Sequence, residues 1–120
     1  MTGDARLRIF VGVADAGSFT LAAKRLGISQ PAVSQSIASL EEACGYALVE
    51  RGRGGVTLTE KGHVFYVYAK RILSLYSELG DALDGKPVNS AATVDLGGGK
   101  SAEISVRDGK LEIDLKSSNY

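Results

Sequence analysis

One stretch, Gly17 to Glu42, restricts what this chain can become: GSFTLAAKRLGISQPAVSQSIASLEE. Phe19, Ala22, Ala23 and Leu26 recur at helical spacing, which makes one face of a short helix apolar. The two alanines are small enough to let another helix approach closely. Gly27 follows, a residue that takes the left-handed conformation without steric cost and so can end a helix. Ile28 is expected as a buried plug in the turn. Ser29 is a good N-cap, and Pro31 stands in the first turn of the next helix, where a missing N–H is harmless. Val33, Ile37 and Leu40 form the inner stripe of that helix. Gln30, Ser34 and Gln35 are left outside, with Ser36 and Ser39 on the borders. Two short helices, a tight turn and a polar outer face make a helix-turn-helix. A merely solvated helical hairpin would carry Glu, Lys and Arg on that face. Here such residues are absent until Glu41 and Glu42, and the Gln and Ser in their place can hydrogen-bond base edges in a major groove.

The flanking sequence supplies the support. Asp4 to Ala16 reads as a preceding helix, with Leu7, Phe10, Val11 and Ala14 as its stripe and Asp4 at its positive end. Gly17 stops it, and Ser18 or Thr20 can cap the next. After the pair, two short strand-like pieces, 47–51 and 56–59, surround Gly52-Arg53-Gly54-Gly55. Glycines there permit a hairpin turn. This predicts a wing at 51–56, with Arg51 at its base and Arg53 at its tip. Both arginines are candidates for phosphate or minor-groove contact.

Thr59 can cap a long helix from about Glu60 to Leu83. Phe65, Tyr68, Ile72, Leu75, Leu79 and Ala82 step by three and four, the seam of a coiled coil over about three heptads. Such a helix is long for so small a body, so Phe65, Tyr68, Ile72, Leu75 and Leu79 are expected at a dimer interface. A dimer would double the DNA contacts and fix the half-site spacing. Asp84-Gly85-Lys86-Pro87 ends the helix. Beyond about Ala92 the period becomes two. Val94 and Leu96, then Ile104 and Val106, then Leu111, Ile113 and Leu115 alternate with polar residues, and Asp108-Gly109 is a hairpin signal. Two or three antiparallel strands with one apolar face follow, and such a sheet needs a support, either the long helix or a partner subunit. Gly97-Gly98-Gly99-Lys100-Ser101 is not a phosphate loop. Val94 stands where the first glycine is required, and strand rather than helix follows.

Composition excludes several classes. Among 120 residues no apolar run approaches the ~20 of a membrane span. The N-terminus lacks the basic-then-apolar pattern of an export signal, so a cytoplasmic protein is expected. Cys44 is the single cysteine, so no internal disulfide forms. His63 is the single histidine, and no metal set and no base for a nucleophile can be assembled. No enzyme, no catalytic residue and no cofactor are expected. The net charge is zero, but residues 1–80 hold nine Lys/Arg against seven Asp/Glu, and residues 81–120 hold five against seven. The small basic excess therefore lies with the helix-turn-helix.

Residues 7–73 resemble the N-terminal DNA-binding domain of LysR-type transcriptional regulators. The motifs that carry the resemblance are GSFTLAAKRLGISQPAVSQSIASLE, then LVER, then LTEKG. The resemblance implies a winged helix-turn-helix followed by a dimerising linker helix. It puts Gln30, Pro31, Ser34 and Gln35 on the base-reading helix, about 30–42. It puts Ser18, Thr20, Lys24, Ser29, Arg51, Arg53 and Thr59 along the DNA backbone. Three departures stand out. QSIAS at 35–39 replaces a stretch where the family often has Arg or Lys. Val49 stands where Phe is common. A sheet-like tail of about 35 residues takes the place of the family's effector-binding domain, so small-molecule sensing is not carried over.

The expected fold is mainly α with small β. It comprises a winged helix-turn-helix at 1–62, a linker helix at 63–84 and a short β extension at 85–120. The expected function is a dimeric, sequence-specific regulator bound to double-stranded DNA. The alternative is an interaction protein that pairs through its long helix with a full-length LysR-type regulator and modulates it.

Overall fold

A computed structural model describes residues 4–117; the ends of the predicted spans, 1–3 and 118–120, lie outside the described residues. Four helices and five strands follow in order: α1 (Ala5–Ala16), α2 (Phe19–Leu26), α3 (Gln30–Cys44), β1 (Val49–Gly52), β2 (Gly55–Leu58), α4 (Glu60–Leu83), β3 (Ser90–Gly97), β4 (Lys100–Arg107) and β5 (Lys110–Ser117). The chain divides into two compact units, and the division falls between Tyr76 and Ser77, inside α4. The sequence cues that suggested breaks at 62/63 and 84/85 mark changes of periodicity, which need not coincide with changes of packing.

In the first unit the helix ends follow local chemistry. Asp4 accepts the Arg6 N–H at 2.8 Å, Ser18 the Leu21 N–H at 3.1 Å and Ser29 the Ala32 N–H at 3.2 Å. Each cap satisfies a backbone donor that the helix itself cannot. Gly17, Gly27 and Gly45 close α1, α2 and α3 in the left-handed conformation. The Ile28 N–H reaches back to the Ala23 carbonyl at 3.1 Å, completing the turn. Ile28 itself is 37% exposed, which corrects the expected buried plug: the backbone bond, not a packed side chain, fixes the turn.

Three apolar faces meet in one core. Phe10, Val13, Ala22, Val33, Ile37 and Leu48 are fully buried, and Phe19, Ala23 and Leu40 nearly so. The buried face of α1 is Phe10 and Val13, a slight rotation from the expected stripe, with Val11 half-buried. Phe65 of α4 also turns into this core. Its ring meets Phe10 edge-on at 4.9 Å, an arrangement that places a positive ring edge on a negative ring face.

The wing pairs β1 with β2 antiparallel, from Val49 opposite Leu58 to Gly52 opposite Gly55, with Arg53-Gly54 as the turn. The Val56 N–H donates to the Gly17 carbonyl at 2.9 Å, so the returning strand is bonded to the α1–α2 corner. Gly55 is needed there because a Cβ would overlap the Gly17 carbonyl oxygen. At Gly62 a Cβ would overlap the carbonyl oxygen of Leu48, so the first turn of α4 can lie against the start of the wing only without a side chain.

The second unit contains a three-stranded antiparallel meander in the order β3-β4-β5. Asp108-Gly109 forms the second turn, both residues at positive φ, as a tight hairpin requires. The register aligns Val94 with Ala102 and Leu115, and Ala92 with Ile104 and Ile113. The apolar alternation therefore gathers on one face.

Candidate nucleic-acid interface

Burying Val33, Ile37 and Leu40 turns the opposite side of α3 outward. Gln30, Pro31 and Gln35 are exposed there, and Ser34 is half-buried beside them. No charged side chain lies on this face until Glu41. Ser29, at the start of the helix, uses an oxygen lone pair for its cap and keeps its own proton for an outside acceptor. Ser18 is in the same position at the start of α2. The Thr20 hydroxyl donates to Gln30 Oε1 at 3.4 Å, a long contact that joins the two helices.

Exposed cations stand on the neighbouring elements. Lys24, on α2, is exposed, as are Arg51 on β1 and Arg53 in the wing turn. Among the described residues, none of the three is paired with a carboxylate. The Arg51 guanidinium lies over the Phe19 ring at 4.2 Å. The ring face attracts the cation, and the exposed side chain can still reach a phosphate. The structure thus joins Arg51 to the start of α2 through a ring that also belongs to the core. Nothing in the sequence pattern flags this pairing, since 32 positions separate the two residues.

Thr59 stands apart from the other expected backbone contacts. Its hydroxyl donates to the Ala47 carbonyl at 2.6 Å and accepts the Gly62 N–H at 2.9 Å. It ties the wing base to the first turn of α4. Glu41, a solvating charge by its sequence, turns back instead: its carboxylate accepts the Leu48 N–H at 2.7 Å and the Val49 N–H at 3.4 Å.

Along α4 the expected interface residues split. Phe65 is half-buried in its own domain's core. Tyr68, Ile72, Leu75 and Leu79 stay exposed, with Val64, Val67 and Leu83 extending the stripe. Tyr66 turns inward and donates to Asp15 at 2.6 Å. That bond holds the proton on the phenol and raises its pKa above the usual value. Among the described residues no helix is long and apolar enough to cross a membrane.

An outward, uncharged helical face, with unpaired cations on the neighbouring elements and a β-hairpin after it, defines a winged helix-turn-helix of the DNA-binding class. Residues 5–63 match the bacterial regulatory helix-turn-helix protein model of the lysR family. The DNA-binding domain of CbnR, solved in complex with DNA, superimposes with a TM-score of 0.66 at 40% identity, covering 69% of this chain and 95% of that one. That of BenM, solved with catB site 1 DNA, gives 0.66 at 41% identity, covering 69% and 92%. The HTH-type transcriptional regulator TcbR of Pseudomonas sp. (strain P51) is 43% identical over 76 residues, 63% of this chain and 26% of the relative. BudR of Raoultella terrigena, also an HTH-type transcriptional regulator, is 55% identical over 69 residues, 58% and 24%. This chain belongs to the LysR family and carries the DNA-binding domain of a LysR-type transcriptional regulator. It spans about a quarter of the length of these two curated relatives.

Proposed function

We propose that this chain acts in the cytoplasm as a sequence-specific regulator, bound to double-stranded DNA as a homodimer. Gln30, Pro31, Ser34 and Gln35 enter the major groove, where amides and hydroxyls hydrogen-bond base edges. Ser18, Thr20, Lys24, Ser29, Arg51 and Arg53 meet the phosphates and set the register. Thr59 serves the same contact indirectly, by holding the wing base. The observation that carries this reading is the uncharged outer face of α3 with unpaired cations on the neighbouring elements. Tyr68, Ile72, Leu75 and Leu79 of two copies pair, because an exposed apolar stripe on a helix about 36 Å long gains most by covering itself.

The test is fluorescence binding to duplexes selected by the chain from a random pool. Gln35→Ala is expected to reduce discrimination at one base pair by about 1–3 kcal/mol, with binding to unselected DNA unchanged. Unaltered discrimination in Gln35→Ala and Ser34→Ala alike would reject the assigned reading face. The same α4 stripe supports a second reading, pairing with a full-length LysR-type regulator. In that case no duplex is bound at low salt and a larger relative co-purifies.

A further inference from the structure

We infer that Glu41 is a positioning residue that sets the wing against the reading helix. Its role extends the DNA-binding reading and rests on it. Glu41 lies in the last turn of α3, where the helix dipole disfavours a negative charge and no basic residue compensates. A carboxylate in that place needs donors from elsewhere. It finds two backbone N–H groups, those of Leu48 and Val49, at 2.7 and 3.4 Å. Val49 is the first residue of β1, so the contact runs directly from the reading helix to the wing strand. The backbone of the same residue closes the corner. Its carbonyl accepts the Gly45 N–H at 2.9 Å.

The short segment Ala47–Val49 is thereby held from two elements. Glu41 bonds it from α3. Thr59 bonds the Ala47 carbonyl through its hydroxyl and the Leu48 carbonyl through its N–H, at 2.6 and 3.0 Å. The Thr59 bonds fix the wing base to the start of α4, the Val56 N–H bond to the Gly17 carbonyl fixes the returning strand to the α1–α2 corner, and the Glu41 bonds tie the start of β1 to α3. Arg51 and Arg53 project from that strand and its turn. With the outer part of the wing held by the Val56 bond to Gly17, the Glu41 carboxylate sets how the base of the arginine-bearing strand sits against α3. Glu41 touches no DNA in this scheme. It acts through the wing arginines.

The experiment compares the full chain with Glu41→Ala and Glu41→Gln. A Gln side-chain oxygen can accept the same N–H groups, whereas Ala cannot. Two readouts are used: binding to a selected duplex from about 50 to about 200 mM salt, and amide hydrogen exchange of the free protein. Glu41→Ala is expected to lower the slope of log K against log salt by ~0.9, one phosphate contact, with about tenfold weaker binding at the low-salt end. Its ranking of base-substituted duplexes stays that of the wild type. Faster exchange is confined to residues 48–58. Glu41→Gln restores both slope and protection. A wild-type slope in Glu41→Ala would overturn the proposal. So would exchange that rises equally across α1, α2 and α3, which marks a general loss of stability. Failure of the wild type itself to bind any duplex overturns the DNA-binding reading instead, and is distinguished because the loss precedes any substitution.

Discussion

The two units use the same raw material differently. In the first, apolar stripes on α1, α2, α3 and α4 face one another, and side chains as large as Phe10, Ile37 and Leu48 are shut off from water. In the second, Val94, Leu96, Leu111, Ile113 and Leu115 lie on the strands of a meander, with a register break at Leu96, and remain exposed. Leu115 is 73% exposed, and the buried residues of the sheet are only Ala102 and Ser105. Periodicity alone puts apolar residues on one face. Only a second layer turns that face into a core. The contrast also explains where function sits. The proposed reading face, Gln30, Ser34 and Gln35, stands on a helix whose inner residues Val33, Ile37 and Leu40 are locked in the core.

Substitutions test this contrast, and the largest effects belong to the first unit. Ile37→Ala removes a side chain that is 2% exposed and leaves a cavity, and should lower the unfolding free energy by about 2–5 kcal/mol in urea titration. Gly62→Ala forces a Cβ onto the Leu48 carbonyl, where backbone rather than a flexible side chain must yield. A loss of about 3 kcal/mol is expected in the same titration. Ser29→Ala removes the α3 cap and should cost about 1 kcal/mol, with Ser29→Gly costing only a few tenths. By contrast, Ile113→Ser on the open sheet face should change stability by less than about 0.5 kcal/mol, because little burial is lost. A loss as large as that of Ile37→Ala would show that the face is covered.

The smallest effect is a titration. Asp15 holds the Tyr66 proton, so the phenol ionises above the usual tyrosine value. A folded-state pKa raised above the unfolded one means that this contact stabilises below about pH 10 and is lost as pH rises through the folded value. Ultraviolet difference titration should show one late tyrosine, which Tyr66→Phe removes.

Much of this architecture is legible in the residues, because caps and stripes are local. Ser18 and Ser29 cap, Gly17 and Gly27 stop, and Phe19, Ala22, Val33 and Ile37 point inward as their spacing requires. Asp108-Gly109 turns as its type demands. What escapes the sequence is contact over distance. The heptad seam of α4 is broad, and periodicity cannot say which side of a broad stripe faces home, so Phe65 joins the core while Tyr68 does not. Glu41 reads as a solvated charge until Leu48 and Val49 are seen to fold back onto it. Arg51 is legible as a wing cation, but its stacking on Phe19 is not, and neither is the bond from Tyr66 to Asp15 across 51 positions.

The most direct test is a two-dimensional NMR titration of the chain with a selected duplex, following backbone and side-chain amides together. Large shifts should appear in the Gln30 and Gln35 side-chain amides, the backbone of 29–36 and the wing at 51–54, with 111–115 unmoved. Shifts confined to the exposed face of α4 or to the sheet, with Gln30 and Gln35 silent, would contradict the account.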